Sequence, residues 1–132
     1  MTEAQTTLTV HNIALTPVEF NGQRVVTLAM IDRVHQRPEG TASRNFRENR
    51  DRFIQGKDFY LVDFSQNNEF RRFGIEVPPR ELFVLSEPGY LMLVKSFTDD
   101  LAWQVQRELV ENYFRAQSAS NIHFLKRAFT MP

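Results

Sequence analysis

Residues 41 to 53 read Thr-Ala-Ser-Arg-Asn-Phe-Arg-Glu-Asn-Arg-Asp-Arg-Phe, and this stretch decides how we interpret the rest of the chain. The Thr41 hydroxyl is suited to accept a hydrogen bond from a first-turn backbone N–H, so a helix is predicted to begin there. At about 100° per residue, one face of this helix is apolar or small and the opposite face is charged. The first face carries Ala42, Phe46, Asn49 and Phe53; the second carries Arg44, Arg47, Glu48 and Asp51. The pattern predicts an anchored helix that exposes arginines.

The composition indicates a single domain without covalent cross-links. The chain has 132 residues, of which 42% are hydrophobic and 12% aromatic, so it is long enough to bury a core. It contains no cysteine, which excludes disulfides, thiolate metal sites and cysteine nucleophiles. The formal net charge is zero, so any attraction to a polyanion has to be local.

The sequence also indicates a compartment. No apolar run approaches the roughly 20 residues of a membrane-spanning helix, and the first ten residues lack the features of a signal peptide. We therefore expect a cytoplasmic protein with no membrane partner.

Two local signals precede the arginine-bearing helix. The pair Asn21-Gly22 lies between two short apolar runs and predicts a β-hairpin. Thr27 is suited to cap a first helix, whose apolar side includes Leu28, Ile31, Val34 and His35. The five residues 36 to 40 then connect the two helices, so a helix-turn-helix-like pair is predicted.

The second half of the chain predicts strands followed by helices. Residues 57–64 and 81–85 are predicted to be the two strands of a wing, joined by the polar connection 65–79. Ser86 and Pro88 are predicted to begin a third helix, and a fourth is expected from about Asp100 to Ala116. The predicted fold class is α+β: a small domain with an N-terminal hairpin, a helix-turn-helix-like pair, a β wing and two C-terminal helices.

The arginines have two interpretations. Residues 33 to 57 hold seven basic side chains against three acidic ones, a local excess of four. In the functional interpretation, Ser43, Arg44 and Arg47 contact DNA phosphates and base edges. In the structural one, the arginines pair with Glu48 and Asp51 at helical spacing on a solvated face. Arg71 and Arg72 in the long connection either extend the DNA contact, as a wing tip would, or are ordinary charged loop residues.

The fourth predicted helix has a second apolar stripe of Trp103, Val110 and Phe114. This stripe requires a partner, since an exposed apolar surface of this size is unusual on a monomer. In one interpretation the apolar-basic tail of the chain folds back over the stripe. In the other, the stripe and the tail residues Phe124 and Leu125 together form a protein interface. The partner at that interface is another protein or a second copy of the chain in a homodimer.

No pattern in the sequence calls for catalysis. The three histidines are far apart in the chain, and neither a nucleophile elbow nor a phosphate-binding glycine loop occurs. We expect no enzyme activity, no metal and no cofactor.

Three runs in a fixed order resemble a known family. They are residues 21–28, residues 44–60 with the motif Asn45-Phe46-Arg47-Glu48-Asn49, and residues 85–90, followed by a closing helix at 103–114. In this order they resemble the ORF-six-N domain, which belongs with the KilA-N and Bro-N group at the N-termini of phage and prophage antirepressors. The resemblance covers about residues 13–117, leaving 1–12 as a flexible N-terminus or a short edge strand and 118–132 as a linker and tail.

The resemblance implies a DNA-binding module that is normally followed by a separate C-terminal domain. It places Arg44, Asn45, Arg47 and Arg50 among the residues expected to contact DNA. The chain is accordingly expected to be an antirepressor-type phage or prophage regulator that binds double-stranded DNA in the bacterial cytoplasm. The alternative is a protein-interaction module that captures a phage repressor without binding DNA.

Overall fold

The computed structural model describes residues 7–115, and all structural statements below concern this range. The strands are β1 (Leu8–Val10), β2 (Ile13–Leu15), β3 (Val18–Phe20), β4 (Gln23–Thr27), β5 (Phe59–Val62) and β6 (Leu82–Leu85). The α-helices are α1 (Leu28–Val34), α2 (Thr41–Glu48), α3 (Asn67–Arg71), α4 (Glu87–Leu93) and α5 (Asp100–Leu109). The predicted α+β class is confirmed.

The predicted Asn-Gly hairpin is present. Strands β3 and β4 are antiparallel with Val18 opposite Val25. Asn21 and Gly22 have φ angles of 54° and 76°, the left-handed conformation that a two-residue hairpin turn requires.

A second hairpin precedes it, so over the described residues 7–12 the N-terminal segment matches the expected short strand and not a flexible start. Strands β1 and β2 pair through a turn at His11 and Asn12, whose φ angles are 49° and 68°. Val10 is fully buried and Leu8 packs partly against the core, so this strand is anchored through its inward side chains. The Thr-rich composition suggested fraying, but the alternation of Leu8 and Val10 supplies an inward face.

The four-stranded antiparallel sheet has the order β3-β4-β6-β5. The two strands predicted for the wing pair with each other, with Phe59 opposite Leu85. However, β6 also pairs with β4, with Val26 opposite Leu85. The wing strands are therefore part of the central sheet, since Val84 and Leu85 are fully buried and need cover on both sides. The connection predicted between them contains α3.

The first helix begins as predicted. The backbone N–H of Met30 donates to Thr27 Oγ1 at 3.1 Å, and His35 forms the C-terminal cap.

The cap predicted for α2 is wrong. The N-cap is Gly40, and the Thr41 hydroxyl donates to the carbonyl of Pro38 at 2.7 Å. The carboxylate of Asp32, on α1, takes the capping role: its two oxygens accept from the N–H groups of Gly40 and Ala42, each at 2.9 Å. A carboxylate from the preceding helix can do this because the connector folds back over it.

The anchored face of α2 is confirmed, although the helix is shorter than residues 41–53. Ala42 and Phe46 are buried on that face, as is Phe53 beyond the helix end. The helix ends at Glu48 and a 3-10 turn follows at Arg50–Arg52. The side chain of Asn49 donates to the Asn45 carbonyl at 2.9 Å, a local bond of the kind that ends helices.

The third predicted helix, α4, begins at the expected residues. The Ser86 hydroxyl accepts from the Gly89 N–H and donates to the Lys57 carbonyl. Gly89 allows α4 to approach the start of β5 closely, since a Cβ at this position would lie 1.9 Å from the Asp58 carbonyl oxygen.

The fourth predicted helix changes geometry before it ends. It is an α-helix to Leu109 and a π-helix over Val110–Phe114, with the Arg115 N–H bonded to the Val110 carbonyl at 3.0 Å. The wider turn rotates Phe114 inward, where its ring lies 5.6 Å from that of Tyr90. Phe114, predicted to share with Trp103 a stripe that needs a partner, is instead a core residue.

The π-turn also brings Tyr113 into contact with strands β3 and β4. Its hydroxyl accepts from the Val18 N–H at 2.9 Å and donates to the Val25 carbonyl at 2.6 Å. These two groups belong to an opposing pair of β3 and β4, so the hydroxyl bridges the strands at that point. Burial raises the pKa of Tyr113 to about 12, so the hydroxyl keeps its proton and its donor role at neutral pH.

We expect Tyr113→Phe to lower the free energy of unfolding by about 1–3 kcal/mol, because a buried N–H and a buried C=O each lose a partner. Urea denaturation of the purified protein measures this. Tyr60→Phe is the matched control, since the Tyr60 hydroxyl accepts only from the half-buried Gln23 side chain. Equal stability of wild type and Tyr113→Phe would contradict the bridging role.

Candidate nucleic-acid interface

The outer surface of α2 carries Ser43, Arg44 and Arg47. Arg44 and Arg47 are exposed, and Arg47 Nη1 donates to Ser43 Oγ at 2.7 Å. Over residues 7–115 neither arginine forms an ion pair, with Glu48, Asp51 or any other acid. Over this range the predicted pairing of these arginines with Glu48 and Asp51 is therefore not formed.

Asn45 lies on a different side of α2. Its side-chain amide donates to the Leu93 carbonyl at 2.8 Å, and its Oδ1 accepts from the Asn49 amide at 2.9 Å. The first bond joins α2 to α4, and the second lies at the C-terminal end of α2. The amide is committed to this packing and is not placed with Arg44 and Arg47.

Arg50 covers an aromatic cluster. Its guanidinium carbon lies 5.6 Å from the ring centre of Phe46, 4.9 Å from that of Phe59 and 5.1 Å from that of Phe83. Such cation–π contacts stabilise the packing of α2 on the sheet. The helical pattern does not predict this role, because two of the rings, those of Phe59 and Phe83, belong to strands outside α2.

Arg71 and Arg72 belong to a different part of the surface. The neighbouring Phe70 packs against Phe20, whose ring lies 5.2 Å from Tyr60, whereas Phe46 of α2 packs on Phe59. Consecutive residues of a strand point to opposite faces, so α2 and α3 are anchored on opposite faces of the sheet. No contact in the described range joins Arg71 or Arg72 to the α2 arginines, and their DNA role stays a prediction.

A cleft of about 700 Å³ lies beside the start of α2. It runs between α1 and the segment from Phe73 to Phe83, and Ser43 lines it. Its charged lining is balanced, with Arg33 and Arg80 against Glu76 and Glu81. We call it the Ser43 cleft.

A smaller cleft of about 250 Å³ lies along another side of α2. It is lined by Asn45, Asn49, Arg52, Phe53, Met92, Leu93, Lys95 and Ser96. Its charged lining consists of Arg52 and Lys95, without a carboxylate. We call it the Arg52 cleft.

A buried polar pair supports the connection between the helices. His35 Nε2 and the Tyr90 hydroxyl are 2.7 Å apart, and the Phe97 ring lies edge-on to the imidazole. Burial, and next the charge of Arg37, lower the pKa of His35 to about 4, while Asp99 opposes the shift. Burial also raises the pKa of the Tyr90 hydroxyl. His35 is therefore neutral at physiological pH and holds α1 against α4.

The low pKa of His35 predicts a loss of stability in acid. Between pH values of about 6.5 and 4 the unfolded chain binds a proton that folded His35 excludes, so stability decreases as the pH falls through this window. The loss from this residue reaches about 3 kcal/mol. Denaturation at a series of pH values measures this. The free energy of unfolding should depend less steeply on pH for His35→Gln than for wild type.

His11→Gln is the control for that comparison, since His11 is only partly buried. If His35→Gln keeps the full pH dependence, the acid sensitivity arises elsewhere.

The three residues of the second apolar stripe differ in exposure: Trp103 is exposed, Val110 is half-buried and Phe114 is buried. Trp103 is 68% exposed and shares a cleft of about 320 Å³ with Leu91 and Val110. The rim is charged and balanced, with Arg107 and Arg115 against Glu87 and Glu111. Phe124 and Leu125, named with this stripe, lie outside the described residues.

None of the helices among residues 7–115 has the length and apolar composition that crossing a membrane requires. No group of three or more histidine, aspartate or glutamate side chains in this range is placed to hold a metal ion.

Comparison with known proteins gives one match. The family model of the ORF6N domain matches residues 15–96, which is more than half of the chain. This is the ORF-six-N family that the sequence resembles. No curated protein and no solved structure matches the chain.

Proposed function

The chain belongs to the ORF6N domain family, and from this membership we propose that it is a phage or prophage transcriptional regulator of the antirepressor type that binds double-stranded DNA through α2. The observation that carries the proposal is the exposed pair Arg44 and Arg47, without carboxylate partners among residues 7–115, on the second helix of a helix-turn-helix-like pair. The proposal places the protein in the bacterial cytoplasm and assigns it no catalytic activity or cofactor.

The physical basis is the shape and charge of α2. The major groove admits one α-helix, and guanidinium groups bind both phosphates and the edge of guanine. The neutral net charge supplies no long-range attraction, so binding depends on this local surface. The Asp32 carboxylate already occupies the first N–H groups of α2, so a phosphate at the helix N-terminus is disfavoured. Recognition is therefore assigned to the side chains of Ser43, Arg44 and Arg47.

We expect Arg44→Ala and Arg47→Ala each to weaken binding to duplex DNA. The loss is about 1–3 kcal/mol for an arginine that reads a base, while a phosphate contact lowers the salt slope of log K by about 1. Fluorescence anisotropy with a labelled duplex, selected from a randomised pool at low salt, measures both quantities.

Arg107→Ala is the matched control, an exposed helical arginine on α5. Melting temperatures should be nearly unchanged in all three variants, because each side chain is exposed. The proposal fails if the wild-type protein binds no duplex at low salt. It also fails if Arg107→Ala weakens binding as much as Arg44→Ala does.

Capture of a phage repressor is the second candidate, and the exposure of Trp103 favours it. Tryptophan is enriched among residues that dominate protein interfaces, and the rim around it is polar, as interface rims are. The same surface would serve a homodimer. This candidate requires no contact between DNA and α2.

We expect Trp103→Ala to abolish capture of the repressor encoded beside this protein while leaving the melting temperature unchanged, since the side chain is exposed. A pull-down with that repressor measures the capture. Phe64→Ala is the control, because Phe64 is a comparably exposed aromatic residue on another surface. A lowered melting temperature in Trp103→Ala would assign the residue to packing, and undiminished capture would remove it from the interface.

A further inference from the structure

We propose that the Arg52 cleft binds a phosphate of the DNA backbone beside α2, a contact that rests on the DNA-binding function proposed above. The ligand is a phosphodiester anion, bound by Arg52 and Lys95.

The first argument is the charge of the cleft. The Ser43 cleft and the Trp103 cleft each contain two arginines and two glutamates, so the net charge of each lining is zero. The Arg52 cleft contains one arginine and one lysine and no acid, so its lining carries +2. Over residues 7–115 neither Arg52 nor Lys95 forms an ion pair. Two cations gathered without a counter-charge favour an external anion.

The second argument is the position of the cleft around α2. Ser43 and Asn45 flank Arg44 in sequence, and each lies about 100° from it around the helix, in opposite directions. Ser43 lines one cleft and Asn45 the other. A helix that lies in the major groove has a DNA strand on each side. When Arg44 faces the base pairs, the Arg52 cleft therefore faces a backbone.

The third argument is that the wall of the cleft is already fixed. The Asn45 amide donates to the Leu93 carbonyl at 2.8 Å and reaches Ser96 Oγ at 3.4 Å. The Ser96 hydroxyl accepts there and keeps its own proton for an anion. Binding a phosphate thus requires only that the exposed ends of Arg52 and Lys95 be ordered.

The test measures binding of the full chain to the selected duplex over a range of salt concentrations. Arg52→Gln and Lys95→Gln should each weaken binding several-fold and reduce the salt slope by about 1, because each removes one phosphate contact. Arg52→Lys should restore most of the slope, since it returns the charge. Arg107→Gln should bind like wild type. Melting temperatures should agree among all variants, as both side chains are exposed and unpaired.

The outcomes separate this inference from the proposed function. If Arg44→Ala weakens binding while Arg52→Gln and Lys95→Gln bind with the wild-type slope, the cleft assignment is overturned and DNA binding stands. If the wild-type protein binds no duplex, both fail. If the two variants lose affinity for single-stranded RNA but not for duplex DNA, the ligand is an RNA backbone and the assignment to DNA is overturned.

Discussion

The arrangement of the helix pair depends on the buried carboxylate of Asp32. It belongs to α1, yet its oxygens accept from the N–H groups of Gly40 and Ala42 at the start of α2. Because both oxygens are engaged, the carboxylate fixes where α2 begins relative to α1. It also places a negative charge at the positive end of the helix dipole. These bonds fix the orientation of Arg44. Because the Asp32 carboxylate occupies the N–H groups of Gly40 and Ala42, the positive charge of this surface comes from side chains.

The aromatic clusters on the sheet explain why arginines close together in sequence have different roles. Phe59 points toward α2, where Phe46 and Arg50 cover it. Arg50 thus completes a hydrophobic cluster, while Arg44, six residues earlier, projects into solvent. The next strand residue, Tyr60, points to the opposite face and its own cluster. The sheet therefore determines which arginines pack on aromatic rings and which project into solvent, a difference that composition alone does not reveal.

The features that the sequence predicted correctly rest on neighbours in the chain. The hairpin at Asn21-Gly22 and the caps at Thr27 and Ser86 depend on groups within a few residues, so the local pattern determines them. The features it missed depend on distant partners. The Thr41 hydroxyl could have capped α2, but it donates to Pro38, and the Asp32 carboxylate of α1 accepts from the Ala42 N–H instead. A regular helix places Phe114 with Trp103, and only the π-turn reveals that it turns inward. The exposed position of Arg44 and Arg47 was predictable from periodicity, whereas the cleft between α2 and α4 was not.

The Tyr113 bridge has a consequence for how the domain is synthesised. Its hydroxyl bonds Val18 and Val25, which lie 95 and 88 positions earlier in the chain, so the hairpin of β3 and β4 is synthesised long before this partner leaves the ribosome. Contacts between residues so far apart in the chain form slowly. Until this contact forms, the Val18 N–H and the Val25 C=O are open to solvent or to other chains. The ORF6N match ends at residue 96, before this partner. The unit that folds is therefore longer than the unit that the family signature marks.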